Sequence, residues 1–263
     1  MLASTPVTAL PEFVDPYLDP ATGLLRNRIG ATTREALDSA EADYGLARTA
    51  ELIDRQVKMT GDIRQLTAIH RRLFQDVYDW AGELRTVDMR KGSDPAAEFF
   101  MPVSRLQSGA GFAFQELADD KQLRGLPRDR FIERLAHHYD QVNYLHPFRE
   151  GNGRTQRLFW SQISAAAGYK INWRGTTGRV NDQASREATE KQDLSGLRAM
   201  FDAITVPASS GAAVDEGAER ARLFANLDMP LRGSDLAKPV PTTSTSTRNQ
   251  GTMNRGRDTG LGS

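Results

Sequence analysis

The chain has 263 residues, and its 34 Lys and Arg are matched by 34 Asp and Glu, so the net charge is zero. That balance argues against a nucleic-acid binder, which works by neutralising phosphates, and the lack of cysteine excludes disulfide scaffolds and Cys-ligated zinc. No apolar run approaches the roughly 20 residues that span a bilayer, and the opening MLASTPVTALPEFVDP, broken by Pro6, Pro11 and Pro16, does not read as a signal peptide.

Residues 1–31 are rich in proline and turn residues and predict an extended arm laid on the surface. Thr32 and Thr33 can cap a helix that carries Leu37, Ala40, Tyr44, Ala47, Leu52 and Ile53. Asp62 caps the next, with an apolar stripe from Ile63 through Leu66, Ile69, His70, Leu73, Phe74 and Val77; it is expected to run on toward Trp80 and end at Gly82. Residues 84–101 change period, and LRTVDM, KGSDP and EFFM together predict a β-hairpin.

Pro102 opens a helix through Leu106, Phe112, Phe114 and Leu117. Another follows Pro127 and carries Phe131, Leu135, Tyr139 and Val142. Gly151–Gly153 breaks the chain before an apolar helix from Leu158 to Ala167, and two further helices are expected near 180–191 and 193–204. Residues 206–263 are rich in Ser, Thr, Gly and Pro and predict a mostly disordered tail, interrupted by one amphipathic stretch around 215–227. Within the tail, Arg255-Gly256-Arg257 is a candidate export or targeting signal.

Residues 146–157, HPFREGNGRTQR, concentrate chemistry in one loop. His146 could take a proton from a hydroxyl. Glu150 could hold Mg²⁺, since a carboxylate beside a phosphate cradle is repelled unless a cation lies between. Gly151, Asn152 and Gly153 could turn backbone N–H groups toward a phosphate at a helix start. Arg154 and Arg157, three apart, share one helical face and could clamp the distal phosphates. These are parts for holding a nucleoside triphosphate and attacking one of its phosphates. A P-loop is excluded, because GKT and GKS are absent. His70 and one of His137 and His138 are read as histidines of the core or behind the site, without a metal-binding pattern.

HPFREGNGRTQR resembles the signature of the Fic family, HxFx(D/E)GNGRxxR, at every fixed position. YLDPATGLLRNRIG, LTAIHRRLFQDVYDWAGELRTVDMRKG and AGYKINW are similar to further Fic segments in the right order, so the likeness covers about 17–205. It implies a mainly α fold, a Fic-type helical bundle over 32–205 with one β-hairpin flap at 84–101 above the active site. It implies transfer of AMP from ATP to a target protein's hydroxyl, with His146 as general base, Glu150 on Mg²⁺, Gly151, Asn152 and Gly153 as cradle, and Arg154 and Arg157 on the outer phosphates. Lys91 and Gly92 would lie near the nucleotide, and Asn181 and Ser185 on its adenine and ribose side. The target would pair along the flap edge.

The GNGR cradle, rather than one with asparagine–lysine, favours nucleotidyl over phosphoryl transfer. Transfer of another phosphate-containing group, or a nucleotide-binding docking module, are the alternatives. Many Fic proteins carry an inhibitory Ser/Thr-x-x-x-Glu-Gly/Asn. Here only Glu150 and Glu216 precede glycine or asparagine, and His146 and Ala212 lie four residues before them. The chain thus resembles the class silenced by a separate small antitoxin, which would act on a bacterial, cytoplasmic toxin.

Overall fold

The computed structural model describes residues 14–91, 98–208 and 239–240. These form a helical fold with short strand pairs, and several helices begin where a side chain or proline sets the first turn. Helix α1 spans Arg34–Asp54, and the Thr33 hydroxyl caps it by accepting the Ala36 N–H at 3.2 Å. Helix α2 spans Ile63–Phe74, capped by Asp62 through the N–H groups of Arg64 and Gln65 at 3.0 and 3.3 Å. It buries Leu66, Ile69, His70, Leu73 and Phe74, the spacing of a one-sided helix.

Helix α2 stops at Phe74, short of the expected run toward Trp80. The chain instead folds back so that Tyr78 and Trp80 stack at 4.3 Å. Gly82, at φ +85°, then donates its N–H to His70 Nδ1 at 2.8 Å. A continued helix would carry these rings away from the His70 face, so burial of aromatic surface overrides local periodicity.

The flap follows. Strand β1 is Asp88–Met89. Lys91 donates its N–H to the Glu98 carbonyl at 3.0 Å, Phe100 donates to Met89 at 3.0 Å, and Arg90 bridges Phe99. The hairpin is thus paired at its base, while its tip, with Gly92, lies outside the described residues.

Helix α3 (Val103–Asp119) returns from the flap, and α4 (Arg128–Leu145) starts after Pro127. Helix α5 spans Asn152–Ala166. It therefore begins six residues before the expected start at Leu158, and Gly153, Arg154 and Arg157 belong to its first turns. Helix α5 buries Leu158, Phe159, Trp160 and Ile163 and packs on α2 and α4. The loop between α4 and α5 is thus held by the most buried helices of the fold.

Three further findings differ from the sequence expectation. First, the arm from residue 14 onward is packed into the core. Tyr17, Leu24 and Leu25 are buried, and Asp15 forms a buried ion pair with Arg149 at 2.9 Å. Second, strand β2 (Tyr169–Ile171) pairs antiparallel with β3 (Thr205–Pro207), so the expected tail boundary at 206 falls inside a sheet. Third, strand β4 (Pro239–Val240) pairs antiparallel with β1 in the flap. The stretch 215–227 and Arg255–Arg257 lie outside the described residues.

Helices α6 (Gly178–Lys191) and α7 (Ser195–Ile204) close the bundle against α4. The β2–β3 pairing sets where the tail can be cut. Among the described residues, truncation after Ala208 removes only the two-residue β4 pairing and should lower the melting temperature less than truncation after Thr205, which also removes most of β3, each kcal/mol lost being worth about 2–4 °C. Thermal unfolding of both truncations checks this, and equal melting of the two would mean the sheet adds no stability.

Candidate active site

Helix α4 ends at His146, whose φ of +42° puts it in the left-handed region. This conformation costs a non-glycine residue roughly 1–2 kcal/mol, so something must hold it. The His146 ring stacks on Phe100 of the flap at 3.7 Å, nearly parallel. Its Nδ1 is buried without a hydrogen bond of normal geometry, although the Asn143 carbonyl favours the protonated ring. Burial, with help from the cationic Arg85, Lys91 and Arg149, pushes the imidazole down to about 3. The ring is therefore neutral near pH 7 and able to accept a proton.

The loop is tied by its own residues. Asn152 Nδ2 donates to the Phe148 carbonyl at 2.7 Å, and the Phe148 N–H donates to Asn152 Oδ1 at 2.9 Å. The asparagine side chain therefore shapes the turn, which leaves only its backbone for a ligand. Gly151 stands at φ +80° before α5, and no side chain caps that helix. An uncapped helix start offers backbone N–H donors to an anion.

Glu150 is set by neighbours from three elements. Its carbonyl faces His70 Nε2 at 3.0 Å. Because Gly82 donates to Nδ1 of the same ring, the proton sits on Nε2 and is donated to Glu150. His70 is fully buried, pushed down to about 3 by burial, and stacked on Phe148 at 3.9 Å. The Glu150 carboxylate accepts the Gly151 N–H at 2.9 Å. Burial and then the charge of Glu41 push its pKa upward, so a cation beside it would be favoured.

The two arginines differ. Arg154 Nη2 pairs with Glu41 of α1 at 2.7 Å and lies 3.8 Å from Glu150. Its guanidinium sits 4.5 Å over the Phe74 ring, and Nη1 is buried without a hydrogen bond. Arg157 has a buried Nε without a hydrogen bond. Lys91 reaches across from the flap to α6, donating to the Ser185 carbonyl at 3.3 Å and to the Thr189 hydroxyl. The structure therefore brings Lys91 and Ser185 together. The Ser185 hydroxyl is buried without a partner. Asn181, one turn earlier on α6, accepts the Tyr139 hydroxyl at 2.7 Å.

Sequence reasoning missed Glu41, Tyr78, which donates to Glu41, and Arg85. No local pattern marks them, because their partners lie far along the chain. His137 and His138 are held by Glu116 and Asp120 at 2.8 and 2.7 Å, away from the motif loop.

Among the described residues no group of three or more His, Asp or Glu forms a metal cluster. Mg²⁺ needs none, since it is commonly held by one or two carboxylates together with substrate phosphates and waters. The partly buried Glu150 carboxylate beside an uncapped helix start fits that donor set. No helix among the described residues is long and apolar enough to cross a membrane.

Residues 60–164 match the Fic/DOC family. A relative from Salmonella typhimurium, named probable protein adenylyltransferase Fic, is 37% identical over 187 residues, covering 71% of this chain and 90% of the relative. Protein adenylyltransferase VbhT of Bartonella schoenbuchensis is 37% identical over 174 residues, covering 66% of this chain and 36% of VbhT. Among solved structures, the N-terminal Fic domain of a VirB-translocated Bep effector from Bartonella quintana, with bound ADP, superposes with a TM-score of 0.70 at 28% identity. That match covers 74% of this chain and 96% of the other.

Proposed function

The chain belongs to the Fic/DOC family, and from that premise we propose that it transfers AMP from ATP to a hydroxyl side chain of a target protein and releases pyrophosphate. One observation carries this reading. A neutral imidazole at the end of α4 and an uncapped helix start at α5 are held five residues apart by a self-bonded loop. That supports a proton acceptor working beside an anion site.

In the reaction, His146 takes the proton of the target hydroxyl. The hydroxyl oxygen bonds to the α-phosphorus, and the bond to the bridging oxygen breaks, with its electrons leaving on pyrophosphate. A ring depressed to about 3 is a weak base alone. The negative triphosphate offsets Arg85, Lys91 and Arg149, and so raises its basicity. The backbone of Gly151, Asn152 and Gly153 holds phosphate oxygens. Arg157, whose Nε makes no hydrogen bond, turns its guanidinium to the outer phosphates, and Arg154, held by Glu41, adds its positive charge to them. Lys91, Asn181 and Ser185 line the nucleotide side. Glu150 would hold Mg²⁺, which supplies charge neutralisation between carboxylate and phosphates. Positioning and electrostatics carry most of the rate.

The target's extended segment pairs with the flap edge in place of β4, which holds β1 here, as main-chain bonding suits modest sequence selectivity. The chain acts as a toxin restrained by a separate small antitoxin, since the inhibitory pattern is missing. Glu41 does engage a motif arginine, but it is Arg154, and not the Arg157 that the inhibitory glutamate would take.

Incubation of a bacterial lysate with ATP labelled at the α or the γ position tests the reading. Only the α label should enter protein, and excess EDTA should stop it. Entry of the γ label would establish phosphoryl transfer instead. Undiminished labelling in EDTA would remove Mg²⁺ from the mechanism, and no labelling at all would leave a docking module.

A further inference from the structure

Arg85 is buried, with 2% of its surface exposed, yet no carboxylate pairs closely with it. The nearest, Asp88, is 4.0 Å away and accepts the Val103 N–H at 2.7 Å. Backbone carbonyls receive the guanidinium instead. Nε donates to His146 at 2.8 Å, Nη1 to Val87 at 2.7 Å, and Nη2 to Leu145 at 3.2 Å and to Met101. The Arg85 backbone N–H donates to Pro147 at 2.8 Å.

Arg85 thus binds three consecutive carbonyls, those of Leu145, His146 and Pro147. They form the end of α4, where the helix leaves carbonyls without intrahelical partners and carries partial negative charge. The other two acceptors, Val87 and Met101, stand at the two roots of the flap. The flap in turn presents Phe100, which stacks on the His146 ring. Backbone and ring of His146 are therefore both held by one piece of chain. Burial lowers Arg85 only to about 10, so it remains a cation at neutral pH.

We propose that Arg85 is a positioning residue: it clamps the His146 backbone to both roots of the flap, so that the imidazole and the flap edge move as one unit. The inference rests on His146 being the base of the proposed reaction. It explains how a histidine in a left-handed conformation keeps one orientation. It also means that a strand docking on the flap acts on the base directly. Lysine cannot replace arginine here, because its three donors sit on one nitrogen and cannot span carbonyls that Nε, Nη1 and Nη2 reach separately.

The stacked Phe100 ring gives a signature. In the wild type the His146 Hε1 proton resonance should be displaced by the ring current, and His146→Ala assigns it among the four histidines. In Arg85→Gln the His146 resonance should move toward the ordinary histidine position while that of His70 stays. AMP transfer to lysate proteins from α-labelled ATP should fall about 10–100-fold at saturating ATP, as expected for a misplaced group. The apparent KM for ATP should remain within about threefold, the mark of a loss confined to the transition state. Arg85→Lys should behave alike. An unmoved His146 resonance, or undiminished transfer, in Arg85→Gln overturns the role. Should both variants fail to fold, the wild-type Arg85 Nε–H decides: protection from exchange supports the clamp, and rapid exchange overturns it. The base assignment fails separately, on His146→Ala.

Discussion

His146→Ala should abolish AMP transfer, by about 10²–10⁴-fold for the loss of a general base. The fold and ATP binding should survive. The Asn152–Phe148 bonds, the Asp15–Arg149 pair and the Arg85 clamp involve no atom of the imidazole. The ring does stack on Phe100, so melting temperature must be measured alongside activity. Binding of a non-hydrolysable ATP analogue should change little, because the cradle and Arg157 remain. The same variant tests the toxin reading. On induction in a bacterium the wild type should arrest growth and His146→Ala should not. Wild-type labelling by the variant would remove His146 from the chemistry. Equal growth of both strains, with both proteins soluble at equal levels, would mean that the enzyme is not an unrestrained toxin.

The motif loop was legible because its residues act on near neighbours. Asn152 bonds Phe148, Gly151 sets up α5, and Glu150 abuts Gly151, all within five positions. Turn chemistry and helix starts are local, so sequence reports them. Helices α1, α4, α6 and α7 were legible for the same reason, through caps, prolines and period.

What was not legible depends on distance along the chain. Glu41 meets Arg154 across 113 residues, and Arg85 meets His146 across 61. The acceptors of Arg85 are backbone carbonyls, which any sequence supplies, so no residue type marks them. The early end of α2 and the packed arm reflect aromatic and apolar burial, which outweighed the local signal of periodicity or proline. Strand β2 with three residues and its partner β3 are too short for an alternation to register. Sequence also places Arg154 and Arg157 together on one face, yet packing against α1 divides their surroundings. One is held by Glu41 over Phe74 and the other keeps its Nε unused.

Gly151→Ala should be the most damaging single methyl in the motif. The glycine lies at φ +80°, and a Cβ there would sit 2.3 Å from Cε2 and Cζ of Phe74. Phe74 cannot simply swing away, since it is buried, packed at a tilt against His70 at 4.7 Å and covered by the Arg154 guanidinium. Moving it disturbs both the donor to the Glu150 carbonyl and the neighbour of the Glu150 carboxylate. The left-handed backbone adds roughly 1–2 kcal/mol, and overpacking adds typically about 1–3 kcal/mol. A loss of about 2–4 °C in melting temperature per kcal/mol is expected, together with loss of AMP transfer. Gly153→Ala supplies the contrast. Its Cβ would meet only Arg157 Nη1 at 3.8 Å, an ordinary contact, and its φ is not positive. Inside α5 the change from glycine to alanine should raise stability by up to about 1 kcal/mol. The methyl would still crowd the cradle and weaken ATP binding. Opposite signs in thermal unfolding, with activity reduced in both, are therefore the expected pattern. If Gly151→Ala melts like the wild type, Phe74 can yield, and the close approach of α2 to the motif loop is not what holds Glu150 in place.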